Sequence, residues 1–93
     1  MIAVSWDIFA EDELCAAIDY YNSVSHGLGF ELLLCVDAMM ESISRNPELG
    51  STVYKGVKRR LIKRFPYGIY FKVIDDEVLV IGFRHFKQKP VRR

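Results

Sequence analysis

The hydrophobic positions change their period once along the chain. Residues 2–6, Ile-Ala-Val-Ser-Trp, read as a short strand. Asp7 is placed to cap a helix by accepting a bond from a free backbone N–H. Ala10, Leu14, Ala17, Tyr21 and Val24 then recur at alternating spacings of four and three, with Ile18 widening the stripe, which is one face of a helix. Glu11, Asp12 and Glu13 fall in its first turn, where negative charge suits the helix dipole. Ser25-His26-Gly27 ends that helix. A second runs from about Gly29 to Asn46, with Leu32, Cys35, Met39 and Ile43 as its buried face and Leu33, Val36 and Met40 broadening it. Asn46-Pro47 and Leu49-Gly50 stop it. Two helices joined by so few residues must lie antiparallel.

Beyond residue 50 the period becomes two. Val57–Phe65 reads as a strand, Phe65-Pro66-Tyr67-Gly68 as a turn, and Ile69–Ile74 as a strand rich in β-branched and aromatic residues. Asp75-Asp76 is a short hairpin loop that lacks the glycine a type I′ turn favours. Glu77–His85 is a further strand, with Leu79, Ile81 and Phe83 on one face and Val78 and Val80 on the other. Both faces are apolar, so this strand is expected in the sheet centre. The order βααβββ predicts an α+β fold, with a helical hairpin on one face of a small, mainly antiparallel sheet. Ninety-three residues allow one domain, 1–93.

Composition excludes several classes. With 51% hydrophobic and 27% charged residues the chain is ordinary for a globular domain. It contains no apolar run of the roughly 18–20 residues a membrane span needs, and residues 1–9 lack the basic region of a secretion signal, so a cytoplasmic location is expected. Cys15 and Cys35 make neither a metal site nor a disulfide framework, and both are expected as small buried thiols. The net charge of +1 conceals a division. Residues 1–50 carry nine acids and one base, Arg45, a net of −8; residues 51–93 carry twelve bases and three acids, a net of +9. Such asymmetry points to an acidic or polyanionic partner for the basic half, or to pairing of the halves across the fold.

There is no Gly-rich phosphate loop, HExxH pair, paired-cysteine metal motif or nucleophile elbow, and no cofactor is implied. Of the two histidines, His26 sits at the helix turn as a cap or surface residue. His85 ends a strand between Arg84 and Lys87, where neighbouring cations favour the neutral imidazole. It can be read as a general base toward a ribose hydroxyl, with arginines holding the phosphate, or as a group bonding backbone at the sheet edge. The run Lys55, Lys58, Arg59, Arg60, Lys63, Arg64 makes a cationic strand surface. It suits a nucleic-acid backbone, an acidic protein segment, or solvent. Tyr67 and Tyr70 can stack on bases or close the core at a turn. Lys87–Arg93 reads as a mobile, basic contact arm.

Several motifs in sequence order resemble the RelE/ParE superfamily, the toxins of type II toxin–antitoxin systems. They are Ala10-x-x-x-Leu14, Asp19-Tyr20-Tyr21, Phe30 and Ile43-x-x-x-Pro47-x-x-Gly50. The most specific is Arg60-x-x-x-Arg64-Phe65-Pro66-Tyr67-x-Ile69-x-Phe71, and His85-x-Lys87-x-x-Pro90 follows it. The turn and the ending look more like the ParE branch, although Lys87, Gln88 and Lys89 stand where that ending commonly has two arginines and an acid. The resemblance implies a cytoplasmic bacterial toxin of the plasmid-stabilisation kind, neutralised by an antitoxin that alone contacts DNA. A ParE-like member inhibits DNA gyrase without known catalysis. A RelE-like member cleaves messenger RNA on the ribosome, in which case His85 would serve as acid or base and Arg60, Arg64 and Arg84 would stabilise the phosphorane. A relative that only binds its antitoxin is a third alternative. Arg59, Arg60, Lys63, Arg64, Lys87 and Lys89 are the residues expected to meet the partner.

Overall fold

The computed structural model describes residues 2–91. Its elements are β1 (Ala3–Trp6), α1 (Ile8–Val24), α2 (Leu28–Arg45), β2 (Ser51–Tyr54), β3 (Val57–Leu61), β4 (Tyr67–Ile74) and β5 (Glu77–His85). The strands form one sheet in the order β1-β5-β4-β3-β2, in which only β1 and β5 run parallel. The expected α+β hairpin-on-sheet architecture is present, with one strand more than expected. Ser51–Tyr54 pairs with β3 across Lys55-Gly56, where Gly56 takes φ 79°. Strand β3 is also shorter than expected. It stops at Leu61 because Arg64 turns into the left-handed region (φ 72°) and Pro66 has no N–H to offer a ladder.

Asp7 caps α1 by accepting from the Ala10 N–H at 2.8 Å. The two helices then approach so closely at Gly29 that a Cβ there would stand 2.5 Å from the Ile18 carbonyl oxygen. Asn22 of α1 uses this proximity: its Oδ1 accepts from the Gly29 N–H at 2.8 Å, satisfying one of the donors that the start of α2 leaves open. Leu32, Val36 and Ile43 are the buried face of α2, while Cys35 and Met39 are only half-buried, so the stripe is rotated from the expected one. Val24, at the end of α1, is exposed, and so is Cys15, which therefore is not the buried thiol expected. Cys15 is one position beyond Leu14, which turns it about 100° away from the face that meets the sheet.

The helix-covered side of the sheet holds the main core, in which Phe71, Val78, Val80, Ile69 and Phe83 meet Ala10, Ala17, Leu32, Val36 and Ile43. Phe83 is on this side, together with Val78 and Val80, against the expectation from strict alternation. The pairing of β4 with β5 jumps from Phe71↔Val80 to Tyr70↔Gly82, leaving Ile81 as an extra residue. A bulge of this kind reverses the parity of everything after it. Leu79 and Ile81 stay on the outer face with Val53, Val57, Tyr70 and Val91.

Val91 belongs to the segment expected to be a mobile arm. In its described part, residues 87–91, and at Phe86 just before it, the chain is folded back. The Phe86 N–H donates to the Pro66 carbonyl at 2.9 Å, the Gln88 N–H donates to the His85 carbonyl at 2.9 Å, and Val91 is 1% exposed. Arg92 and Arg93, which the arm also includes, lie outside the described residues. At the other hairpin, Asp75 and Asp76 both adopt positive φ (49° and 61°), the backbone of a type I′ turn reached with two aspartates in place of the favoured glycine.

Candidate functional site

A groove of about 530 Å³ runs between α2 and the end of β3. Leu34, Cys35, Ala38 and Met39 of α2 form its apolar floor, and Arg60, Lys63 and Arg64 form a cationic wall. Arg60 pairs in register with Ile69, whose side chain is on the helix-covered face, so the guanidinium enters between sheet and helix. Its Nη2 donates to Ser42 Oγ at 2.9 Å, while Nη1 is buried with no hydrogen-bond partner. The left-handed backbone of Arg64 directs its side chain across to α2, where Nη2 donates to Glu31 Oε1 at 2.7 Å. The Glu31 carboxylate raises the Arg64 pKa above its ordinary value and so holds the guanidinium charged. Phe30 and Leu34, one helical turn apart, extend the apolar floor into solvent at 61% and 52% exposure.

An apolar floor beside a cationic wall has room for an amphipathic, acidic segment. Such a segment would lay apolar side chains on Leu34, Ala38 and Met39, and its carboxylates would meet the exposed Lys63 and Arg64. The floor is the part that residue-by-residue reading of the basic run misses. Its signal is the run Leu32-Leu33-Leu34 beside Phe30 and Ala38, which supplies more apolar positions than one buried stripe of α2 can use.

The other expected site residues are placed elsewhere. Arg59 alternates to the outer face, opposite Tyr70, with its stem 3.0 Å from where a Cβ on Gly68 would stand. Arg84 lies against α1: its Nε donates to Glu13 Oε2 at 2.8 Å and its Nη1 donates to the Lys89 carbonyl at 3.0 Å. The Phe83 N–H donates to the same carboxylate, at Oε1, at 3.2 Å. Lys87 and Lys89 are exposed on the segment that follows β5.

His85 stacks on Phe86 with ring centroids 4.9 Å apart and meets Tyr67 edge-on at 5.5 Å. Its Nδ1 accepts from the Lys87 N–H at 3.1 Å. A neutral imidazole with that lone pair in use carries its proton on Nε2 and presents a donor outward. His85 pairs with Tyr67, whose carbonyl accepts from Ile62, so the end of β3 is two strand spacings away, about 10 Å of backbone. Arg60 and Arg64 therefore share the α2 groove, while Arg84 and His85 belong to the opposite flank of the sheet.

Tyr67 sits between these flanks, stacked on Phe83 at 4.8 Å and edge-on to Tyr21. Burial raises its phenol pKa above the ordinary value, and the neighbouring Tyr21 and Tyr20 push it the same way. Among the described residues, no group of three or more His, Cys, Asp or Glu side chains could hold a metal ion, and no helix is long and apolar enough to cross a membrane.

No protein-family model matches the sequence, and no curated protein matches it. Among solved structures, a chain described as "Chromosomal ParDE TA system from P. aeruginosa" is similar at a TM-score of 0.80 and 18% identity. The match covers 91% of this chain and 96% of that chain. At this identity the likeness is one of fold, and it extends over both helices and the sheet.

Proposed function

We propose that the chain is a ParE-like toxin of a type II toxin–antitoxin system. It inhibits DNA gyrase by binding, and a cognate antitoxin neutralises it. The fold it shares with a chain of a ParDE system supports this reading, as do the ordered motifs from Arg60 to Pro90. The observation that carries it is the state of the cations. Arg64 and Arg84 are paired to Glu31 and Glu13, and the Nδ1 of His85 is engaged by backbone. On this reading these groups build surfaces for protein partners. The groove lined by Arg60, Lys63 and Arg64 suits an acidic, amphipathic antitoxin segment, which also accounts for the charge division of the chain. The target and the antitoxin are both proteins of the cytoplasm on this reading, and DNA is contacted only through the antitoxin.

The test is a supercoiling assay with purified gyrase, ATP and relaxed plasmid, titrated with this protein. Gyrase-linked linear DNA should accumulate in proportion to added protein, and His85→Ala should change that by less than threefold. Unchanged supercoiling would remove the gyrase reading for the enzyme tested. Cleavage of ribosome-bound message that His85→Ala lowers by about 10²–10⁴-fold would establish acid–base chemistry in its place.

A further inference from the structure

The outer face of the sheet carries an inconsistency that the toxin reading does not use. Tyr70 is fully buried there, and its hydroxyl has no hydrogen-bond partner. What covers it is the chain's own end. Val91 packs with Tyr70, Val57 and Ile81, and it sits over Gly82, the residue paired with Tyr70, so closely that a Cβ at 82 would stand 2.2 Å from Val91 Cγ2. Between β5 and Val91 the segment is held by a few hydrogen bonds: the Phe86 N–H donates to the Pro66 carbonyl, the Gln88 N–H to the His85 carbonyl, and the His85 N–H to Gln88 Oε1. Phe86, Lys87, Gln88 and Lys89 are exposed, and the bond from Arg84 to the Lys89 carbonyl is itself exposed.

We propose that residues 86–91 form a displaceable strap, which alternates between the docked state and an open one in which Val91 leaves the outer face. Seating one valine favours the docked state by about ten- to a hundredfold. A stranded hydroxyl that water would satisfy takes back a similar factor. The hydrogen bonds of residues 86–89 and the rest of the covered patch keep the docked state in the majority, and the stranded hydroxyl leaves an open minority. Opening uncovers the apolar patch of Val53, Val57, Tyr70, Leu79 and Ile81, and it releases Lys87 and Lys89 from the sheet edge as a basic arm. The two states thus present different surfaces to a partner, whatever that partner is.

Two substitutions push the equilibrium in opposite directions. Tyr70→Phe removes the stranded hydroxyl and should close the strap. Gly82→Ala puts a methyl group where Val91 sits and should open it; Val91→Ser does the same from the strap if Gly82→Ala does not fold. The readouts are the rate of tryptic cleavage after Lys87, which tracks the open population when opening is fast, and the Val91 methyl resonances. Amide exchange of β4 reports whether each variant is folded. Tyr70→Phe should slow cleavage about five- to thirtyfold and leave the Val91 methyl shifts at their docked values. Gly82→Ala should speed cleavage by at least tenfold and bring those shifts toward random coil; Val91→Ser, which has no methyl groups at 91, should speed cleavage by the same factor. Cleavage unchanged or faster in Tyr70→Phe would overturn the strap, and so would unchanged cleavage in folded Val91→Ser.

Discussion

Glu13 joins three parts of the fold, and its removal is a direct test of how the second flank is built. The bulge at Ile81 disturbs the ladder beside Phe83, and the Phe83 N–H is satisfied by Glu13 Oε1 from α1. The other oxygen holds Arg84, whose guanidinium in turn holds the Lys89 carbonyl. Glu13→Ala strands a donor on a residue that is 2% exposed, at a cost of about 1–3 kcal/mol. It also breaks an ion pair whose side chains are 30% and 26% exposed, worth about 0–1 kcal/mol after solvent screening. The expected loss is roughly 2 kcal/mol. For a domain of this length each 1 kcal/mol moves the midpoint about 4–8 °C, so Tm should fall by about 8–16 °C. Urea unfolding followed by far-UV circular dichroism measures the loss independently. Glu13→Gln keeps an acceptor for the Phe83 N–H and gives up only the charge, so it should lose less than half as much. Glu13→Ala within 0.5 kcal/mol of the parent would show that the Phe83 N–H does not depend on this carboxylate.

Three further outcomes follow from the same geometry. Gly29→Ala places a methyl against the Ile18 carbonyl and the Asn22 side chain, and should destabilise the helical hairpin by about 1–3 kcal/mol in thermal unfolding. Leu34→Asp puts a carboxylate on the exposed floor of the groove; stability should stay within about 0.5 kcal/mol. Its affinity for the antitoxin in a titration should nevertheless drop at least tenfold, and unchanged affinity would remove the groove from the interface. Tyr67 has its pKa raised in the folded state, so its neutral form contributes stability that is fully present below the unfolded value of about 10. That contribution is lost as pH rises through the folded pKa. Stability of the parent should therefore fall above about pH 10 more steeply than that of Tyr67→Phe, and parallel curves would contradict the burial of the phenol.

Much of the fold is legible along the chain because it is written in periods and caps. The 3-and-4 spacing from Ala10 to Tyr21, the cap at Asp7, and the turn pairs Phe65-Pro66 and Asp75-Asp76 each act within a few residues. The strand Ser51–Tyr54 was hidden because it is short and its inner pattern is weak, with Val53 its only half-buried residue. Strict alternation places Phe83 on the outer face because it assumes an unbroken ladder, and a bulge is decided by the partner strand. The exposure of Cys15 and the docking of Val91 are illegible for a related reason: local composition does not say which face a neighbour will cover.

What the amino-acid sequence determined is the order of elements, the helical hairpin, and the division into an acidic first half and a basic second half. These depend on backbone propensity and side-chain charge, which are local quantities. What only the tertiary structure decided is which cations stand together. Arg60 and Arg64 are bound to Ser42 and Glu31 of α2, 18 and 33 positions away, Arg59 is turned to the outer face by a single residue, and Arg84 is claimed by Glu13, 71 positions away. Those outcomes rest on strand parity, one bulge and long-range pairing, where a shift of one residue exchanges the two faces of a sheet.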